Sequence, residues 1–203
     1  MSHSSFHGAS TVRVMCGTAM LGAIAFILMF LDFSIPIMPS FIKMDFSELP
    51  ALIASFAYGP VSGVLVCLIK NLLHLMKTST GGVGELSNFL LGCFFVVPAG
   101  LIYQFKKTKT SAIIASLIGA VCMALCSIVS NYFIVYPIYY NFMSKETILA
   151  IYKALWWGVD SILECLIVFN APFTFIKAMC SVFITLLIYK PLSPVLKGNY
   201  RSK

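Results

Sequence analysis

The sequence predicts an all-α integral membrane protein, a six-transmembrane-helix bundle with a short second helix, and three observations carry that prediction. Hydrophobic residues make up 60% of the 203 positions and charged residues only 10%, with a mean hydropathy of +0.94. A soluble domain is nearer half apolar and a quarter charged. Apolar runs recur along the chain and reach the length of about eighteen residues that nominates a membrane span. The basic residues collect in short segments between those runs, as they do in cytoplasmic loops of membrane proteins.

The first run, VMCGTAMLGAIAFILMFL at 14–31, is too long for a secretory signal, and the LDFSIPIMPSF that follows offers no small-x-small cleavage site. It is read as a membrane helix, with 32–46 as the loop after it. The next stretch, DFSELPALIASFAYGPVSGVLVCLIKNLL at 45–73, decides the topology. As one helix it gives five spans, which with a cytoplasmic N-terminus leaves Lys106, Lys107 and Lys109, and also Lys190, Lys197, Arg201 and Lys203, outside the cell. That inverts the positive-inside rule. Gly permits a tight turn and Pro disfavours helical geometry in its predecessor, so Gly59-Pro60 is a natural break. Splitting there gives spans at 14–31, 47–58, 60–76, 85–105, 111–135 and 166–189. Both termini and the Lys106–Lys109 loop then face the cytoplasm. The second helix is too short to cross about 30 Å of hydrocarbon alone. Irregular backbone at membrane depth is tolerated only when protein or water covers it, so this element hints at an internal cavity on the outer side.

Several function classes drop out. The net charge of +7 follows from the loop lysines, and no basic stretch interleaved with stacking aromatics points to nucleic acid. Seven cysteines without a C-x-x-C pair argue against a disulfide framework or a zinc site, and the histidines, His3, His7 and His74, form no ligand set. No catalytic motif stands out, so no enzyme is expected. Gly81-Gly82-Val83-Gly84 lacks the preceding strand and following Lys-Ser/Thr of a phosphate loop. Any active transport must borrow its energy from a partner.

The polar residues inside the spans are the candidate site. Ionisable groups there are costly and by default mark function. Lys70 and Lys177 are the two, with snorkelling towards the headgroups as the competing reading. In FNAPFTFIK, Asn170 two residues before Pro172 reads as a helix start. Asn170, Thr174 and Lys177 then fall on one face at i, i+4, i+7, a polar stripe on an apolar wall of the kind ligand pockets use. Interhelical hydrogen bonding is the alternative. Asn131 and Asn88 stand near the outer ends of the fifth and fourth helices. Trp156 and Trp157 read as an interfacial belt, while Tyr132, Tyr136, Tyr139 and Tyr140 are open between belt and ligand stacking. On the first helix, Ala19 and Ala23 are four apart and make a flat face that another helix can approach closely.

With these residues in place, the chain resembles the S components of energy-coupling factor (ECF) vitamin transporters, and among them the riboflavin-specific members. The resemblance rests on A-x-x-x-A in the first helix, DFSELP at 45–50, FAYGPVSG at 56–63, KNLLH at 70–74, SNFL at 87–90, NYF at 131–133 and PFTFIK at 172–177, in that order. It implies a six-helix bundle that takes riboflavin from outside as transported ligand, with no cofactor, and a first loop, 32–46, that covers the pocket. It also implies release inside after association with a transmembrane T component, met by Ala19 and Ala23, and two cytoplasmic ATPases. Asn131 and Lys177 fall on flavin-bonding positions, with Lys70, Asn71, Asp45 and Asn88 as further candidates. Thr174 departs from the family, which carries Asn there; a hydroxyl cannot match a carboxamide on a uracil-like edge. An S component for another vitamin, and a self-sufficient facilitator, are the remaining readings.

Overall fold

The structure is a computed structural model that describes residues 4–78 and 80–197. In chain order it contains α1 (Ser4–Phe30), a hairpin of two short strands, β1 (Phe33–Ser34) and β2 (Lys43–Met44), then α2 (Glu48–Tyr58) and α3 (Pro60–His74). α4 (Val83–Phe105) and α5 (Lys109–Ser130) follow. α5 runs through a π-helical turn (Asn131–Val135) into α6 (Tyr136–Tyr139). α7 (Lys145–Leu155) and α8 (Ile162–Cys165) lead through a second π-helical turn (Leu166–Asn170) into α9 (Ala171–Lys197).

Among the described residues five helical stretches are long and apolar enough to cross a membrane: Thr11–Phe30, Pro60–Lys77, Val83–Phe105, Lys109–Tyr139 and Ile162–Tyr189. α2, with 11 residues, is about 16 Å long at 1.5 Å per residue and does not span. Gly59, at φ 108°, ends α2 in a conformation open to glycine, and Pro60 supplies the first residue of α3, where its missing N–H costs nothing. Nine residues of α2, from Glu48 to Phe56, are buried, so neighbouring helices, not lipid, cover it.

The packing has two centres. The first gathers Leu52, Phe56, Phe95, Val96, Ala99, Tyr103 and Val182 from α2, α4 and α9. α5 meets this core with a stripe of small side chains at helical spacing, Ala112, Ala115, Ser116, Gly119, Ala120, Ala124 and Ser127, interrupted by Met123. A Cβ on Gly119 would stand 2.6 Å from the Phe95 carbonyl oxygen, so the glycine is what admits α5 to α4. Such close approach matters because lipid tails are as apolar as side chains, and helix association rests on packing contacts. The second centre, Met38, Tyr136, Ile148, Tyr152, Val159 and Leu166, joins the hairpin to α6, α7 and the second π turn. The opposite faces of the spans expose Met15, Ile27, Leu117, Leu125, Phe183 and Leu187, an apolar exterior suited to a bilayer.

Both π turns stand just before a proline. Backbone N–H groups reach back five residues, from Tyr136 to Asn131 and from Ala171 to Leu166, and Pro137 and Pro172 follow. A proline ring clashes with the carbonyl four residues earlier, and the wider turn relieves that clash. Asn170 is therefore not a helix start, as its position before Pro172 suggested. The helix begins at Ile162 behind a capping box in which Ser161 and Glu164 satisfy each other's backbone N–H groups. α6, α7 and α8 occupy a region that the sequence reading left without helices.

Candidate functional site

At the end of the bundle that carries the hairpin, a cavity with about 980 Å³ of empty space, part of it open to solvent, lies between the hairpin, α4, α5, α6 and α9. The Gly59 turn and the Lys106–Lys109 loop are at the other end. The cavity walls mix apolar and aromatic groups, Phe41, Leu91, Met123, Tyr139 and Phe173, with a band of polar ones, Asn88, Asn131, Asn170, Thr174 and Lys177. A few oriented polar groups on apolar walls are the usual make-up of a small-molecule site.

Lys177 anchors the band. It is buried, and its Nζ donates to Asp45 Oδ2 at 2.7 Å and to Asn88 Oδ1 at 3.3 Å. It joins α9 to the root of the hairpin and to α4 and does not snorkel. The Asp45 carboxylate also accepts from the Ser47 backbone N–H at 2.8 Å and from the Ser47 hydroxyl. Burial alone would raise the Asp45 pKa, but the Lys177 and Lys70 charges and the hydrogen bonds from Lys177 and Ser47 hold it down at about 2. The hairpin root is thus tied to the cavity wall by a buried ion pair.

Asn131, the first residue of the first π turn, accepts from Ser87 Oγ at 3.1 Å. Its Nδ2, like that of Asn88 and the Thr174 hydroxyl, makes no hydrogen bond among the described residues, which leaves donors for a ligand. Asn170 Oδ1 accepts from the Tyr152 hydroxyl at 2.7 Å. Tyr136 and Tyr139 line the cavity, whereas Tyr132 and Tyr140 are exposed. Trp156 and Trp157 are exposed.

Of the seven ligand candidates, Asn131, Thr174, Lys177, Asn88 and Asp45 line the cavity, while Lys70 and Asn71 do not. Lys70 is fully buried between α2 and α3, its Nζ 2.6 Å from Glu48 Oε1 and 2.6 Å from Ser47 Oγ. It does not snorkel, and it pairs with a buried carboxylate away from the cavity. Asn71 is also buried, and its Nδ2 bonds back to the Cys67 carbonyl at 2.7 Å. Ala19 and Ala23 stand on the exposed face of α1, opposite Thr18, Leu21, Ala25 and Met29, which pack inward.

The cavity also includes groups that sequence reasoning did not single out. His74 Nδ1 is 2.8 Å from Glu85 Oε1, and Glu85 Oε2 accepts from Thr78 and Thr80 at 3.0 and 3.4 Å. This fastens the loop after α3 beside the cavity mouth. His74, Thr80 and Glu85 all line the cavity, as does Phe41 from the hairpin. Glu85 followed Gly81-Gly82-Val83-Gly84 at a predicted helix start, where an acidic residue reads as a cap, and nothing in its spacing pointed to His74.

The comparisons with known proteins agree with this geometry. The family model described as "ECF transporter, substrate-specific component" matches residues 13–189. The chain is 35% identical over 179 residues to the riboflavin transporter RibU of Staphylococcus aureus (strain TCH60), covering 88% of this chain and 89% of that one. It is 31% identical over 187 residues to the riboflavin transporter FmnP of Bacillus subtilis (strain 168), covering 90% and 93%. A solved S component of a bacterial ECF transporter superposes with a TM-score of 0.73 at 32% identity, over 92% of this chain and 99% of that one. ThiT from Listeria monocytogenes, at 17% identity and a TM-score of 0.64 over 92% and 98%, shares the fold. With a matching family model over nearly its whole length and relatives above 30% identity, the chain belongs to the substrate-specific components of ECF transporters.

Proposed function

We propose that this chain captures riboflavin from outside the cell and delivers it inward together with a transmembrane T component and two cytoplasmic ATPases. The observation that carries the reading is the cavity itself: a polar band of Asn88, Asn131, Asn170, Thr174 and Lys177 set against Phe41, Tyr139, Leu91, Met123 and Phe173. An isoalloxazine ring is planar and largely apolar, which suits the aromatic and aliphatic walls. Its carbonyl edge and ribityl hydroxyls suit the amides, the hydroxyl and the ammonium. The riboflavin transporters of S. aureus and B. subtilis supply the choice among flat heterocycles. Thr174 offers one donor and one acceptor where an amide would offer a broader edge.

The cavity end faces outward in this reading, because Arg13, Lys106, Lys107 and Lys109 gather at the other end and belong in the cytoplasm with both termini. Arg201 and Lys203 lie outside the described residues, as do the side chains of Lys190 and Lys197. The hairpin segment 32–46 covers the ligand, contributing Phe41, Ile42, Lys43 and Asp45 to the wall. The exposed Ala19 and Ala23 face meets the T component.

The first test is an absorbance spectrum of detergent-purified protein, then riboflavin titration of ligand-free protein by fluorescence quenching. Saturable quenching at submicromolar riboflavin is expected. No flavin and no quenching would move the reading to another vitamin. Ala19→Leu with Ala23→Leu is expected to leave quenching unchanged and abolish uptake by the assembled transporter. Uptake by this chain expressed alone would instead make it a self-sufficient facilitator.

A further inference from the structure

Tyr152 stands behind the cavity wall. It comes from α7, which places no residue on the main cavity, and it is fully buried. Its ring packs near Phe169 and Phe41, with centroids 5.4 and 6.4 Å away. Its hydroxyl lies 2.7 Å from the Tyr136 hydroxyl and 2.7 Å from Asn170 Oδ1, and both of those residues line the cavity.

Counting hydrogens fixes the direction of this relay. A carboxamide oxygen only accepts, so Tyr152 donates to Asn170. A phenol carries a single hydrogen, so Tyr152 must in turn accept from Tyr136. Tyr136 then has no hydrogen left to offer, and only its lone pairs remain. Asn170 has its oxygen engaged, and its two Nδ2 hydrogens remain, one within reach of the Tyr136 hydroxyl and one for the cavity. We propose that Tyr152 is a specificity-determining positioning residue, which sets the cavity wall as a hydrogen-bond donor at Asn170 and an acceptor at Tyr136. The site then selects a ligand that meets Asn170 with a carbonyl or ring nitrogen and Tyr136 with a hydroxyl or N–H. Without the Tyr152 hydroxyl the Asn170 amide loses the bond that fixes its oxygen, and the wall loses its fixed polarity. The inference relies on the riboflavin reading only for the binding probe.

The test uses Tyr152→Phe, which removes one oxygen and keeps the ring. In ligand-free protein labelled with ¹⁵N-asparagine, the Asn170 side-chain resonances are identified by their loss in Asn170→Asp. They are expected as one sharp, exchange-protected pair in the wild type, shifted and broadened in Tyr152→Phe. Incorporating 3-fluorotyrosine at position 152 makes the phenol a stronger donor in an otherwise native protein, and it should shift the same resonances. Identical Asn170 resonances in both altered proteins would overturn the proposal whether or not riboflavin binds. With riboflavin as probe, Tyr152→Phe is expected to weaken binding roughly tenfold, the scale of one hydrogen bond. The double variant with Asn170→Ala should bind no more weakly than Asn170→Ala alone. Fully additive losses would mean that Tyr152 acts only through packing. A wild type that fails to quench strikes the ligand reading, and the resonances still decide the role of Tyr152.

Discussion

Lys70 and Lys177 form the same kind of bond in two different settings. Each is buried, each belongs to a membrane-spanning helix, and each meets a carboxylate at 2.6 or 2.7 Å. The Lys70–Glu48 pair is closed on all sides at 0% exposure for both partners, and it fastens the short α2 to α3. The Lys177–Asp45 pair lines the cavity and ties α9 to a hairpin with a solvent-facing side. A buried ion pair is weak evidence of stabilisation, because desolvation offsets its attraction, but losing one partner leaves an uncompensated charge. The first pair is therefore structural, and the second puts a charge where a ligand can use it.

The largest expected effect breaks the closed pair. Lys70→Ala strands the Glu48 carboxylate and should cost about 3–5 kcal/mol, read as a collapse of the thermal unfolding midpoint in detergent. Lys70→Met with Glu48→Leu removes both charges and should restore most of that midpoint, with riboflavin affinity close to wild type. A double variant that folds but no longer binds would assign Lys70 to the ligand after all.

Lys177→Ala comes next. The change strands Asp45 and removes a charged donor from the cavity wall, a group whose hydrogen bond to a ligand is worth about 1.5–3 kcal/mol, so riboflavin affinity should fall roughly tenfold or more. The melting temperature should fall less than for Lys70→Ala, because Asp45 lies in a hairpin able to move towards water.

Strong acid should loosen the cavity pair. The Asp45 pKa is depressed from 3.8 to about 2, so its contribution is complete above the unfolded value and is lost as pH falls through about 2. The shift corresponds to about 2 kcal/mol. Quenching measured against pH should be flat above about 4 and decline below it, and Asp45→Asn should remove that decline. The smallest expected effect is at Asn71, one residue from Lys70 but bonded to its own helix. Asn71→Ala should leave riboflavin affinity within about twofold of wild type, a change below 0.5 kcal/mol.

The sequence already carried the long spans, the break at Gly59-Pro60 and the stripe of Thr174 and Lys177, because hydropathy, turn chemistry and helical spacing are local properties. Which lysine lined the cavity was not local. Lys177 meets Asp45 across 132 positions and Lys70 meets Glu48 across 22, so both roles depend on tertiary packing. DFSE, two acids at the start of an apolar helix pair whose second helix bears a lysine, was the available signal for the closed pair. The π turns were hidden because a widened helix keeps the same apolar composition, although Pro137 and Pro172 mark where the widening is needed. α7 is too short for a span, yet Ser144, which accepts from the Thr147 N–H, and the Ser161–Glu164 box that opens α8 were readable as caps.

The burial of α2 also constrains how the chain is made. An eleven-residue helix that begins with an acid lacks the length to cross a bilayer on its own during synthesis. Gly59 and Pro60 join it to α3, whose Lys70 neutralises that acid. Insertion of the two helices as one hairpin would give α2 that partner, which is translated only after α2 itself.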